Sequence, residues 1–286
     1  MTQDCGKLVD VSRRFQQVDV FGTTPHSGNP LAVVVDGEGL STDEMQRFAS
    51  WTNLSETTFL LAPTDPAADY RVRIFTTTWE LPFAGHPTLG SCQTWLDHGG
   101  VAKQADVLVQ ECGVGLVQVR REAERLAFAA PDLIRSGPVD DTLRARIEQT
   151  LRTEIVEIAW ADNGPGWVAA LLPSADDVLA LDPDFGDSLD LKLGVVGRAG
   201  PDAEDDVEVR AFFPGPRVME EDPVTGSLNA SLAQWLMKRD PALRSYTARQ
   251  GTALGRNGRV HLDRDDDGTI WVGGRVNPSI TGTVQL

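Results

Sequence analysis

The chain has 286 residues and carries 42 acidic against 26 basic groups, a net charge of -16 that repels phosphate backbones and anionic membranes and argues against a nucleic-acid or membrane role. No run approaches the ~20 apolar residues of a membrane span and no leader-like segment is visible, so a soluble, cytoplasmic protein is expected. Three cysteines (Cys5, Cys92, Cys112) and four scattered histidines (His26, His86, His98, His261) show neither disulfide nor metal-ligand spacing, which points to reduced thiols and no metal.

Residues 1–13 are polar and patternless and read as a frayed tail. Alternation over 15–21 predicts a half-buried strand, followed by a turn at 25–30 and a buried strand at 31–35. Ser41 and Glu44 form a capping-box signature, and Met45, Phe48 and Trp51 follow at helical spacing, so a helix is expected to end near Asn53. Strands are expected at 57–62 and 70–76, a helix from Pro87 to about Asp97, and strands near 106–110, 114–120 and 125–129. The order then repeats, with a helix near 140–150, strands at 154–160 and 167–172, and a helix at 174–180. Strands at 193–197 and 207–213, a helix at 223–238 and further strands complete it. The acidic clusters at 202–206 and 263–267 read as solvated turns.

This order is duplicated in the residues themselves. Arg71-Val72-Arg73-Ile74-Phe75 is matched by Glu208-Val209-Arg210-Ala211-Phe212, and Gln110-Glu111-Cys112-Gly113-Val114-Gly115 by Gln250-Gly251-Thr252-Ala253-Leu254-Gly255. The class is therefore α+β, with two related halves, each a mixed, mostly antiparallel sheet curled around a central helix. Leu89, Cys92, Trp95 and Leu96 in one such helix, and Leu228, Leu232, Trp235 and Leu236 in the other, leave little room for a polar face. The boundaries expected are 14–125 for the first half, completed by 275–286, and 126–274 for the second. The repeat breaks at Asn53-Leu54-Ser55-Glu56-Thr57-Thr58, opposite the featureless Leu191-Lys192-Leu193-Gly194. That makes Glu56 the first catalytic candidate.

Each central helix is expected to begin at a proline, Pro87 or Pro223, with small residues in its first turn. The free N-H groups there, with Thr88 in one copy and Thr225, Gly226 and Ser227 in the other, suit a carboxylate; small residues at a helix start also serve close packing. His86 and Asp222 are expected at the two caps. Asp222 there is either a plain N-cap or a functional acid, and His86 either a proton-transfer group or a hydrogen-bonded core histidine. Asn29 is either a turn residue or an amide pointed at a ligand. Glu56 is either a solvated carboxylate at the edge of a strand or, where it faces an apolar cleft, an acid whose pKa desolvation raises into the range a general acid/base needs.

The runs Gly28-Asn29-Pro30-Leu31-Ala32-Val33-Val34, Asn53 to Phe59, Glu80-Leu81-Pro82-Phe83-Ala84-Gly85-His86-Pro87-Thr88 and Glu221-Asp222-Pro223-Val224-Thr225-Gly226-Ser227 resemble, in order, the PhzF phenazine-biosynthesis family. The resemblance implies the diaminopimelate-epimerase-like fold, a homodimer, and cofactor-free proton transfer on a small cyclic carboxylate such as trans-2,3-dihydro-3-hydroxyanthranilate. It matches Glu56 to the proton-shifting glutamate, and His86, Asp222 and Ser227 to the histidine, aspartate and serine of their motifs; the site candidates are therefore Glu56, His86 and Asp222 for catalysis and Asn29, Gly85, Thr88, Gly226 and Ser227 for substrate binding. Epimerases of this fold use a cysteine at each helix start. Gly85 and Asp222 stand at those places here, so two-thiol racemisation is not expected. Trp79 departs from the family pattern and is expected either to narrow the pocket or to fill the interface between halves. The alternatives are an epimerase or dehydratase acting on another carbon acid, and a non-catalytic metabolite-binding homologue.

Overall fold

The computed structural model describes residues 11–186, 190–215 and 218–286. In chain order the elements begin with β1 (Ser12–Val20), β2 (Asn29–Val34), α1 (Thr42–Thr52), β3 (Thr57–Leu61), β4 (Tyr70–Phe75), β5 (Glu80–Leu81), α2 (Gly85–Asp97), β6 (Val107–Cys112), β7 (Gly115–Arg121) and β8 (Leu126–Ala129). Next come β9 (Arg135–Pro138), α3 (Asp141–Leu151), β10 (Glu157–Asp162), β11 (Trp167–Leu172), α4 (Ala175–Leu179), β12 (Lys192–Arg198) and β13 (Val207–Pro214). The chain ends with β14 (Met219–Asp222), α5 (Gly226–Arg239), β15 (Ser245–Gln250), β16 (Gly258–Arg264), β17 (Ile270–Gly274) and β18 (Val276–Gln285). No described helix is long and apolar enough to cross a membrane.

The pairing repeats element by element. β1 and β2 are antiparallel, β2 and β3 parallel, β3 and β4 antiparallel, and β4 runs parallel to β6. β10 to β13 and β15 reproduce this sequence of orientations. β18 flanks β1 as β9 flanks β10, and β8 pairs with β17 to join the two halves into one sheet. The duplication expected from sequence is thus a duplication of topology.

Both faces of the sheet are covered, which explains why β11 reads Trp-Val-Ala-Ala-Leu-Leu with every residue buried rather than alternating. The main core lies inside, around α2 and α5, with Leu89, Phe128, Leu228 and Val272 within it. α1 covers a smaller aromatic cluster on the outside of the first half, where Phe59 meets Phe75 edge-on at 5.6 Å. α3 and α4 cover the outside of the second half, over Ile147, Val178 and Val195. Each fully buried leucine or phenylalanine stabilises the fold by about 1.5–3 kcal/mol.

Several expectations change. Ser12 and Arg13 are not tail but the first residues of β1, paired with Gln285 and Val284; residues 1–10 lie outside the described ones. The short strands β5, β9 and β14 were not legible, because strands of two to four residues carry too little periodicity. Asp205, expected in a solvated turn, is buried and paired with Arg259 at 2.6 Å.

Candidate active site

The two central helices begin at Gly85 and Gly226, not at Pro87 and Pro223. Pro87 is the third helical residue, where its missing N-H falls among donors that have no intrahelical partner. Pro223 lies ahead of its helix, and the extended backbone favoured before proline suits Asp222 as the last residue of β14. The N-caps are Ala84 and Thr225, neither giving a side-chain cap bond, so His86 sits inside the first turn and Asp222 is not a cap. The two helix starts touch. A Cβ on Gly226 would lie 2.9 Å from the Gly85 Cα, and one on Gly85 would lie 2.8 Å from the Phe128 ring. Only glycine permits this approach.

Glu56 is delivered by a left-handed residue. α1 stops because its C-cap Asn53 takes φ 57°, a conformation asparagine tolerates, and the hydroxyls of Thr52 and Thr57 then bridge the corner at 2.8 Å. Two residues beyond Glu56, Thr58 receives a 2.9 Å hydrogen bond from Ser91 of α2. Glu56 turns toward the same helix and brings Oε2 within 3.4 Å of His86 Nε2. His86 donates from its other ring nitrogen to the Pro30 carbonyl, which leaves Nε2 an acceptor facing the acid. Glu56 Oε2 is buried without a hydrogen-bond partner, although the side chain as a whole keeps 16% of its surface exposed. The carboxyl group is dry yet reachable.

Burial, and then the charge of Asp222, push the Glu56 carboxyl up to about 8. Burial pushes His86 down to about 3 against the opposing hydrogen bond to Pro30. At neutral pH the contact is therefore a protonated carboxyl group beside a neutral imidazole, not an ion pair. Asp222 is held differently. Its Oδ1 accepts from Asn29 Nδ2 at 2.9 Å and its Oδ2 from Thr225 Oγ1 at 2.6 Å. Burial raises it to about 6 while those two hydrogen bonds pull it back. Two neighbouring carboxyl groups are thus set in opposite protonation states at pH 7, an arrangement suited to acid-base work.

The remaining candidates divide. Asn29 is fully buried and gives its amide to Asp222 and to the Val224 carbonyl, at 2.9 Å each, so it fixes the acid. Thr88 is fully buried, donates to the Ala84 carbonyl at 2.9 Å and accepts from Gln110 at 3.0 Å; it braces the helix rather than facing a ligand. Ser227 Oγ accepts from the Trp167 indole at 3.1 Å, and its carbonyl from Asn163 at 3.0 Å. Trp79 does not fill the interface between halves: it is 59% exposed, in a turn held by Thr76. Sequence reasoning missed Gln250 as a site residue. Its side chain binds the Thr225 N-H, the Thr225 hydroxyl and the Asp222 carbonyl at 3.0–3.1 Å, and its place in the Gln110/Gln250 repeat was the available signal.

The family model for phenazine biosynthesis-like proteins matches residues 18–281. Antisense-enhancing sequence 1 of Schizosaccharomyces pombe is 36% identical, over 94% of this chain and 97% of its own length. Trans-2,3-dihydro-3-hydroxyanthranilate isomerase of Pseudomonas aeruginosa is 33% identical, over 89% of this chain and 91% of its own. A crystal structure of a PhzF-family phenazine biosynthesis protein from Enterococcus faecalis superposes with a TM-score of 0.80 at 27% identity, covering 96% of this chain and 100% of that one. With the match running through both repeats and every motif of the site, the chain belongs to the phenazine biosynthesis-like (PhzF) family and is an isomerase of the diaminopimelate-epimerase-like fold.

Proposed function

We propose that this isomerase moves a proton within a small cyclic carboxylate of the trans-2,3-dihydro-3-hydroxyanthranilate type, without a cofactor, and that Glu56 carries the proton. The observation that carries this is the buried, unpartnered Glu56 Oε2, 3.4 Å from a neutral imidazole and raised to about 8. Because Glu56 holds its proton at neutral pH, the favoured order is donation first. It protonates one end of an unsaturated system, and the carboxylate so formed removes a proton from another ring position, so charge and protons balance over the cycle. His86 Nε2 accepts from the carboxyl between steps and fixes its direction. Asp222, kept ionised by Asn29 and Thr225, raises the acid and steadies positive charge developing on the ring. Free N-H groups at the two helix starts bind the substrate carboxylate.

A homodimer, which the family resemblance implies, and a cytoplasmic site of action belong to the same reading. The test is incubation with trans-2,3-dihydro-3-hydroxyanthranilate in deuterated water, following loss of ultraviolet absorbance and the position of the label. Turnover with label at a new carbon, absent in Glu56→Gln, is the expected result. Label at an inverted centre without a double-bond shift would instead favour an epimerase, with Asp222 as the second base.

A further inference from the structure

Register assigns Glu56 a counterpart in the second half. Thr57 pairs with Ala32 on one side and Phe75 on the other; Leu193 pairs in the same way with Val168 and Phe212. Phe75 and Phe212 are equivalent in the repeat, each lying two residues after an arginine paired with the glutamate of the next strand. Thr57 therefore corresponds to Leu193, and Glu56 to Lys192. The stretch Leu191-Lys192-Leu193-Gly194, featureless as sequence, puts a cation where the other half puts its acid.

Lys192 lies on the side of β12 that faces α5. Gly194, two residues on and so on the same face, would place a Cβ 2.3 Å from Leu228 of that helix. Trp167 is the register partner of Lys192, and its indole reaches the hydroxyl of Ser227 in the first turn of α5 at 3.1 Å. Ser227, the second residue of α5, stands where His86 stands in α2. Lys192 is half-buried, and among the described residues its ammonium group makes no hydrogen bond or ion pair. Asp162 acts on it only from beyond ion-pair distance, with Oδ1 already accepting from the N-H groups of Gly164 and Gly166 at 2.8 and 2.6 Å. Beside these groups the Asn163 Oδ1 is buried without a partner. A half-buried cation with no partner costs desolvation that a bound anion would recover.

We propose that Lys192 is the specificity-determining anchor of this site: its ammonium group and the Ser227 hydroxyl join the N-H groups at the helix starts in holding the substrate carboxylate, drawing it to the side of the cleft away from Glu56 and so turning the reacting carbons toward the acid. This rests on the reading that the cleft takes a small cyclic carboxylate. An amide of the same shape would lose the charge pairing and bind weakly.

The test is calorimetric binding at pH 7 of anthranilate and its neutral twin anthranilamide to wild type, Lys192→Met and Lys192→Arg, with melting curves confirming that each variant is folded. Wild type is expected to prefer anthranilate at least tenfold, Lys192→Met to lose that preference, and Lys192→Arg to keep most of it. Equal binding or binding of neither compound by wild type, or a preference that survives in Lys192→Met, overturns the proposal. Turnover separates the two readings. A charge-dependent preference without conversion of trans-2,3-dihydro-3-hydroxyanthranilate would leave the anchor standing and remove the proposed reaction. Conversion with an unchanged KM in Lys192→Met would do the reverse.

Discussion

Arg73 and Arg210 occupy the same place in the two halves, yet their surroundings differ. Each pairs with a glutamate on the adjoining short strand, Glu80 at 2.6 Å and Glu221 at 2.8 Å, and each lies 5.0 Å from a phenylalanine ring two residues on. The first pair is 26% and 38% exposed and the second 8% and 12%, because α4 and the residues just after it close over Arg210, which donates to the carbonyl of Leu181 at 2.7 Å. The residue after each glutamate shows the consequence: Leu81 in one half and Asp222 in the other, at equivalent register positions. The frame is kept twice while the chemistry is shifted to one side. Glu56, His86 and Asp222 gather at one pole, and Lys192, Ser227 and Leu81 hold the corresponding places at the other.

The largest effect that would test this asymmetry is on rate. Glu56→Gln should lower kcat by roughly 10²- to 10⁴-fold, the usual contribution of a positioned acid-base group, with circular dichroism unchanged. Turnover close to wild type would mean that the proton travels through another group.

Next comes the frame. Arg210→Met strands the buried Glu221 charge and should cost about 3–5 kcal/mol in urea unfolding, whereas Arg73→Met, at the more open pair, should cost about 0–1 kcal/mol. Equal losses would show that exposure does not distinguish the two copies. Gly226→Ala is expected to cost about 1–3 kcal/mol, since its Cβ meets backbone at 2.9 Å and the helix starts must part. A variant with unaltered stability would show that their contact is slack.

The smallest effect is in pH. A carboxyl raised from 4.5 to about 8 binds more protons folded than unfolded between those values, so it makes stability fall as pH rises through them. Below about 6.5 the site's signals overlap, because His86, lowered from 6.5 to about 3, adds stability as pH rises, while Asp222, raised from 3.8 to about 6, removes it. From about 6.5 to 8 Glu56 alone of these three differs. Wild type minus Glu56→Gln should there decline by at most about 1.4 kcal/mol per pH unit, and a flat difference would place the acid's pKa near its ordinary value. Asp222→Asn removes the second cause of the shift, so the alkaline fall in kcat/KM should move to lower pH.

The duplicated order of strands and helices was legible because local alternation and helical spacing are set by neighbours along the chain. So was the capping box at Ser41. The expected starts of the two central helices erred because proline punctuates both a first helical turn and the loop ahead of one, and a short window does not distinguish them. The three short strands were hidden for a related reason: their pairing comes from longer neighbours and not from their own periodicity.

The sequence by itself determined the repeat, its break at Glu56 and the motifs that carry the family, since each is a property of residue order. Only the tertiary structure decided which groups meet: Asn29 reaches Asp222 across 193 positions, Gly85 meets Gly226, and Lys192 takes the place of Glu56. It also decided that the Glu56 carboxyl is raised and the His86 imidazole lowered from their ordinary values. Both outcomes follow from desolvation, and desolvation is fixed by contacts between residues far apart in the chain.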